Sequence, residues 1–208
     1  VNLQDALYRV RPQVLGCPEP IIIDALRQAA ETLCRDSHVW QEKLWPISTY
    51  GAIGHYRVPL PAYARLVSPQ RVQFDGQWLE YRHADALERL MGVDWRSAQA
   101  GPQYWTMESA NTIRLVPQPG SDAADALVIW ASLEPAEHAV ELPDWFRQYD
   151  STLTEGALAA LKEMPQQQWS APKMAQEHRR RFKVQVANAR YDASRGFSDR
   201  PLRTKVYP

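Results

Sequence analysis

Two cysteines and five histidines are the groups in this chain from which nucleophilic, acid–base or metal chemistry would most readily be built, and their spacing argues against all three. Cys17 and Cys34 are too few for a disulfide framework, and neither has a Cys or His at zinc-ligand spacing. Both read as reduced thiols, with Cys34 in a helix core. His38, His55, His83, His138 and His178 are scattered without the i, i+4 pairing of a helical metal site, so each reads as a surface or hydrogen-bonded histidine. In Arg82-His83-Ala84-Asp85 a base and a carboxylate come close, but a helix start explains the spacing as well. A Ser/His/Asp triad leaves no local trace, because its members lie far apart in sequence. The strained serine turn Gly-x-Ser-x-Gly is missing. Phosphate-cradling loops of the Walker or Gly-x-Gly-x-x-Gly kind are missing too. Asp122 and Asp125, around two alanines, lack the ligand pattern of a calcium loop and read as a polar turn. No catalytic residue, cofactor site or metal ligand is assigned, and the expectation is a protein that is not an enzyme.

Charge carries more information. The chain is formally neutral, with 24 basic and 24 acidic residues, but 10 of the basic and 3 of the acidic ones fall in 171–208. That segment is +7 and the rest is −7, so the C-terminal part is expected to meet an acidic surface: a subunit, a partner protein or nucleic acid. A solvated basic helix face is the plainer alternative. Within Glu177-His178-Arg179-Arg180-Arg181-Phe182-Lys183, the cations Arg179, Arg180, Arg181 and Lys183 are candidates for lining a DNA passage or a subunit contact. No helix-turn-helix or zinc-finger signature accompanies them, so sequence-specific readout is not expected. Beyond them, Phe197, Leu202, Val206 and Tyr207 alternate with Arg195, Arg200, Arg203 and Lys205. An extended segment of this kind binds by laying side chains into pockets or by adding a strand to a neighbour; the alternative is a disordered end.

The elements that must position these groups follow from periodicity. Residues 3–10 suggest a short helix. Pro20 then opens a helix in which Ile22, Leu26, Ala29, Ala30 and Leu33 recur at helical spacing. After Ser37 come short strand-like stretches at 39–47, 55–60, 65–67, 71–74 and 77–82, with Asp75-Gly76 as a tight hairpin signal. A helix over 84–91 ends at Gly92, and strands follow at 104–107, 112–116 and 126–133. The helical period returns at Leu142-Pro143-Asp144, with Trp145, Tyr149, Leu153, Ala157, Ala160 and Met164 as a stripe, and small Gly156 and Ala160 permit close packing. Pro165 ends that helix. Ser170 is the expected N-cap of the last one, whose apolar side carries Met174, His178, Phe182, Val186 and Ala189 and which Gly196 closes.

The fold expected is α+β: a helical bundle from residues 1–38 and 142–195, a β-rich insertion over 39–141, and an extended tail over 196–208. Helices do not alternate with strands, which argues against a doubly wound parallel sheet. A composition of 45% hydrophobic and 23% charged residues is that of an ordinary globular chain. The apolar run Ile21-Ile22-Ile23 stops at Asp24, far short of a membrane span. The opening residues lack the pattern of a secretory signal, so the cytoplasm is the expected site of synthesis and assembly. Trp78, Tyr104 and Trp105 are candidate interface anchors, with core packing the expected fate of most exposed-looking aromatics.

Three stretches carry a resemblance. They are Pro-Gln-Val-Leu-Gly-Cys-Pro-Glu-Pro at 12–20 with the helix from Ala25 and Val39-Trp40, Leu142-Pro143-Asp144-Trp145 with Glu155-Gly156-Ala157-Leu158, and Trp169-Ser170-Ala171-Pro172 with the arginine-rich helix. In these the chain resembles head-to-tail adaptor (connector) proteins of tailed bacteriophages, particularly short-tailed ones. The resemblance covers both helical ends and leaves the β-rich part poorly matched. It implies a virion protein at the head–tail junction that forms a ring, commonly a dodecamer, under the portal and extends the DNA channel toward the tail. It also implies portal and tail (nozzle or tail-tube) partners, no cofactor, and a C-terminal tail, Arg195 to Pro208 here, that grips the portal or a neighbouring subunit. Another tail-completion or baseplate component is the alternative, with a nucleic-acid binder or an enzyme behind it.

Overall fold

A computed structural model describes residues 3–139 and 141–195. The protein is α+β, and the chain divides into two compact units, one from 1–40 with 134–208 and one from 41–133.

Among the described residues the first unit holds four α-helices: α1 (Leu3–Val10), α2 (Glu19–Ser37), α4 (Asp150–Glu163) and α5 (Pro172–Ser194). On α2 the buried residues Ile22, Ala25, Leu26, Ala29, Ala30, Leu33 and Cys34 form the apolar stripe expected of a 3.6-residue period. Each fully buried Leu or Ile contributes on the order of 1.5–3 kcal/mol. Pro20 sits in the first turn, where a missing N–H costs no hydrogen bond. The helix ends where His38 turns left-handed, at φ 53°, and its N–H donates to the Cys34 carbonyl at 2.9 Å. Ser37 helps to close that end, its hydroxyl donating to the Leu33 oxygen at 2.6 Å and accepting from the Val39 N–H.

Helix α4 packs on α1, α2 and α5. A β-carbon at Gly156 would lie 2.7 Å from the Ala29 Cβ and 2.9 Å from the Phe182 ring, so this glycine permits the close approach read from the sequence. The segment before α4 differs from expectation: Asp144–Tyr149 is 3-10 rather than α-helical. Its aromatic residues explain why. Trp145 stacks on Phe146 with centroids 4.1 Å apart, and Trp40 meets both rings edge-on, so the tighter turn serves this cluster. Two details of α5 are also corrected. Ala171, not Ser170, takes the cap position, without a side-chain hydrogen bond. Met174 is half-exposed, and its place on the buried side goes to Ala175 beside His178, Val186 and Ala189.

The second unit is a curled sheet of strands β1 (Gln41–Lys43), β2 (Ile47–Thr49), β3 (His55–Arg57), β4 (Ala64–Phe74), β5 (Gln77–Tyr81), β6 (Tyr104–Ser109), β7 (Thr112–Val116) and β8 (Ala123–Pro135), the last crossing into the first unit at Glu134. Its order is β1-β8-β4-β5-β6-β7-β3, with β2 also paired to β8. The stretch expected as one strand over 39–47 is broken, because Pro46 has no N–H to give a ladder. The two stretches expected at 65–67 and 71–74 are one continuous strand. Asp75 and Gly76, at φ 45° and 77°, make the two-residue turn of the β4–β5 hairpin, in which Phe74 faces Gln77. Between β5 and β6 the chain crosses through α3 (Ala84–Met91), so these two strands pair in parallel. Leu87 of α3 packs with Trp95 and Val116 in a small core.

Candidate interaction surfaces

Of the histidines and carboxylates named as chemical candidates, His83, Asp122 and Asp125 hold local hydrogen bonds. His83 receives or gives a hydrogen bond at Nδ1 with the Tyr81 hydroxyl, 3.2 Å away, and its ring lies edge-on to Tyr81. Asp85 is exposed on α3. Asp122 accepts from the Gly51 N–H at 2.8 Å, and Asp125 accepts from the Ser48 hydroxyl while its own N–H donates back. Both aspartates thus tie the 48–51 segment to the start of β8. Cys17 and Cys34 are free and buried, and burial pushes both thiols up. Among the described residues no three His, Cys, Asp or Glu side chains cluster as a metal site would require, and no helix is long and apolar enough to cross a membrane.

The basic helix is where charges converge. Glu177, at the first turns of α5, accepts from Arg180 through Nε and Nη2 at 3.0 and 2.9 Å and from Arg181 Nε at 3.0 Å. These hydrogen bonds, Arg180's first, hold its carboxyl well below the usual range, at about 2. Arg181 also reaches Glu155 of α4 at 3.8 Å, and the same carboxylate meets His178 Nδ1 at 2.7 Å. Arg179 pairs with Glu163 at the end of α4. Three of the four cations singled out on this helix therefore already have a carboxylate within the chain. Lys183 has none among the described residues; it lines an open cleft of about 720 Å³ between the end of α2 and α5. Arg35, His38, Arg179 and Arg190 line it too, over an apolar floor of Phe182 and Val186. Arg35 is spoken for by Glu134 at 2.8 Å. Arg190 follows Lys183 by seven residues, on the same helix face.

Of the tail candidates, Arg195 falls at the end of α5, its guanidinium stacked 5.2 Å from the Tyr191 ring and hydrogen-bonded to the Tyr191 hydroxyl. Phe197, Arg200, Leu202, Arg203, Lys205, Val206 and Tyr207 lie outside the described residues. Among the aromatics, Trp105 is buried, Tyr104 is half-buried and Trp78 is exposed.

Sequence reading missed the partners of these groups. Glu155, which serves both His178 and Arg181, sits 23 residues from the histidine. Lys162 is buried and donates to the Gln13 carbonyl at 3.0 Å, joining the α1–α2 connection to α4. The Ala171 N–H donates to the Lys162 carbonyl at 2.8 Å, fixing the turn into α5 from the other side. The only advance signal was an isolated lysine near the apolar end of a helix.

The three sequence stretches that carried the resemblance thus have structural duties in the first unit: a connection gripped by Lys162, an aromatic start to α4, and the turn into α5. A comparison with curated proteins found no significant match. A family model described as SU10 adaptor protein matches residues 1–205, nearly the whole chain including the sheet. By the match across residues 1–205, this chain belongs to the SU10 adaptor protein family, structural components of phage virions.

Proposed function

We propose that the chain is the head-to-tail adaptor of a tailed phage, one subunit of a ring that docks under the portal and extends the DNA channel toward the tail. The observation that carries this reading is the family match over residues 1–205. Within it, the helices of the first unit form the bundle, residues 41–133 are the insertion, and the tail from Arg195 onward grips the portal or a neighbouring subunit. The charge split supports ring closure. A subunit acidic over 1–170 and basic over 171–208 is suited to heterologous contacts, which close into rings when the rotation fits, and complementary patches favour the correct register.

On α5, internal pairing of Arg179, Arg180 and Arg181 favours a structural or subunit role for these arginines over a DNA-facing one, because a paired cation releases fewer counterions on meeting phosphate. Lys183 and Arg190 are the cations of that helix face left to meet an acidic neighbour. Deleting residues 196–208 tests the tail. Portal joining should fall at least about tenfold, roughly 1.4 kcal/mol, while the melting temperature stays unchanged. A truncated protein that joins portal undiminished removes the tail from the account.

A further inference from the structure

The exposed side of the sheet carries a row of one side chain per strand across four neighbouring strands. Lys43 on β1, Trp130 on β8, Arg71 on β4 and Trp78 on β5 follow the sheet order β1-β8-β4-β5. Lys43 faces Trp130 directly across the ladder, its Nζ 5.3 Å from the ring centroid. The Arg71 guanidinium lies 5.7 Å from the Trp130 ring and 5.0 Å from the Trp78 ring, and the two indoles are 4.9 Å apart. Cation and indole therefore alternate across the sheet. Trp78 is 53% exposed. Trp45, 80% exposed, lies two residues beyond the end of β1.

Stacking on an indole holds a cation in place without neutralising it. A guanidinium held by its face keeps its N–H edge for a carboxylate. Neither Lys43 nor Arg71 has an ion-pair partner among the described residues. Trp and Arg together in an exposed patch are the composition of an interface anchor, and two uncompensated cations ask for acidic groups opposite. The chain itself supplies them. Its acidic surplus is concentrated in 134–170, with seven acidic and two basic residues. There Glu137 and Glu141 are exposed and have no ion-pair partner among the described residues. Lys43, Arg71 and Trp78 are exposed with Trp130 half-buried between them, and Glu137 and Glu141 are exposed, so both sides of such a pairing are open to a second copy. Nucleic acid fits less well, because residues 41–133 carry nine acidic against eight basic residues and offer a polyanion no net attraction.

We propose that the Lys43–Trp130–Arg71–Trp78 row receives the segment around Glu137 and Glu141 of a second copy, as the head-to-tail contact between subunits. This rests on the adaptor reading above. A charge-exchange experiment tests it, with assembly followed by analytical ultracentrifugation, alone and on the portal protein of the same phage. One variant carries Lys43→Glu and Arg71→Glu, the other Glu137→Lys and Glu141→Lys. Each alone meets its own kind with like charges, and its association should weaken on the order of 100-fold or more. Mixed in equal amounts they alternate around a ring with every contact complementary, and assembly should return. A chain carrying all four changes should assemble by itself.

Assembly of either variant alone at wild-type concentrations overturns the proposal, as does a mixture of two folded variants that stays monomeric. Loss of DNA binding with self-association intact overturns it in favour of a nucleic-acid surface. Should the reversed row fail to fold, Lys43→Gln with Arg71→Gln takes its place, with a loss of about tenfold expected and wild-type assembly overturning the contact. Wild-type protein that self-associates neither alone nor on portal defeats the adaptor reading itself, an outcome distinct from the others.

Discussion

At the scale of single residues, Glu108 and Arg114 show how a local pair sets a pH response. Arg114 Nη2 donates to the Glu108 carboxylate at 2.8 Å across the β6–β7 ladder, and this hydrogen bond holds the Glu108 carboxyl below its usual range. A carboxylate with a lowered folded-state value stabilises the fold above its unfolded value, and that contribution is lost as pH falls through the folded one. The acid limb of the stability curve, below about pH 4.5, should therefore be shallower in Glu108→Gln than in the wild type, as read by urea unfolding at a series of pH values. Parallel limbs would show the pair to be inert. The side chain is 41% exposed, so the difference should shrink in high salt. Nothing in the sequence announces this pair, since Glu108 and Arg114 become neighbours only through the register of a hairpin. Cys34 is the opposite case: its place on the stripe Ala30, Leu33, Cys34 foretold a buried thiol, and it is fully buried.

At the scale of elements, contacts local in sequence were legible and those between distant segments were not. The α2 stripe, the Asp75-Gly76 hairpin and the Gly92 end of α3 each depend on residues about three or four apart in sequence. Pairing of β2 with β8 joins Ile47 to Leu127, a separation that no window of periodicity spans. The same holds for the cation–indole row, whose four members come from strands 87 residues apart at the extremes. The 3-10 start of α4 was hidden because an aromatic cluster, not intrinsic propensity, decides it.

Gly156 links sequence to packing most directly. Replacing it with Ala adds about 1 kcal/mol of helix propensity, but the new methyl would sit 2.7 Å from the Ala29 Cβ, well inside carbon–carbon contact distance. The Ala29 methyl has no rotamer to retreat into, so α2 and α4 must separate. Overpacking costs about 1–3 kcal/mol, and Gly156→Ala should lose about 1 kcal/mol net in chemical denaturation. A gain in stability would mean that the helices can part freely.

For the whole molecule, the charge division was visible in composition, whereas its consequence was only half visible. The +7 C-terminal segment contains a helix whose three adjacent arginines are largely balanced by Glu155, Glu163 and Glu177. The cations available to a partner are therefore fewer than the sequence count suggests. They include Lys183 and Arg190 on α5 and Lys43 and Arg71 on the sheet. The family match over residues 1–205 makes the chain a structural protein of a phage, and in the function proposed above these surfaces meet copies of the chain and the portal.

The most direct test of that account is particle mass. Light scattering and negative-stain imaging would be applied to the purified protein alone and mixed with the portal protein of its phage. The account predicts a ring, formed either by the protein alone or by monomers that become part of a ring on the portal. A monomer indifferent to portal at every concentration would contradict it and turn attention to another component of the tail.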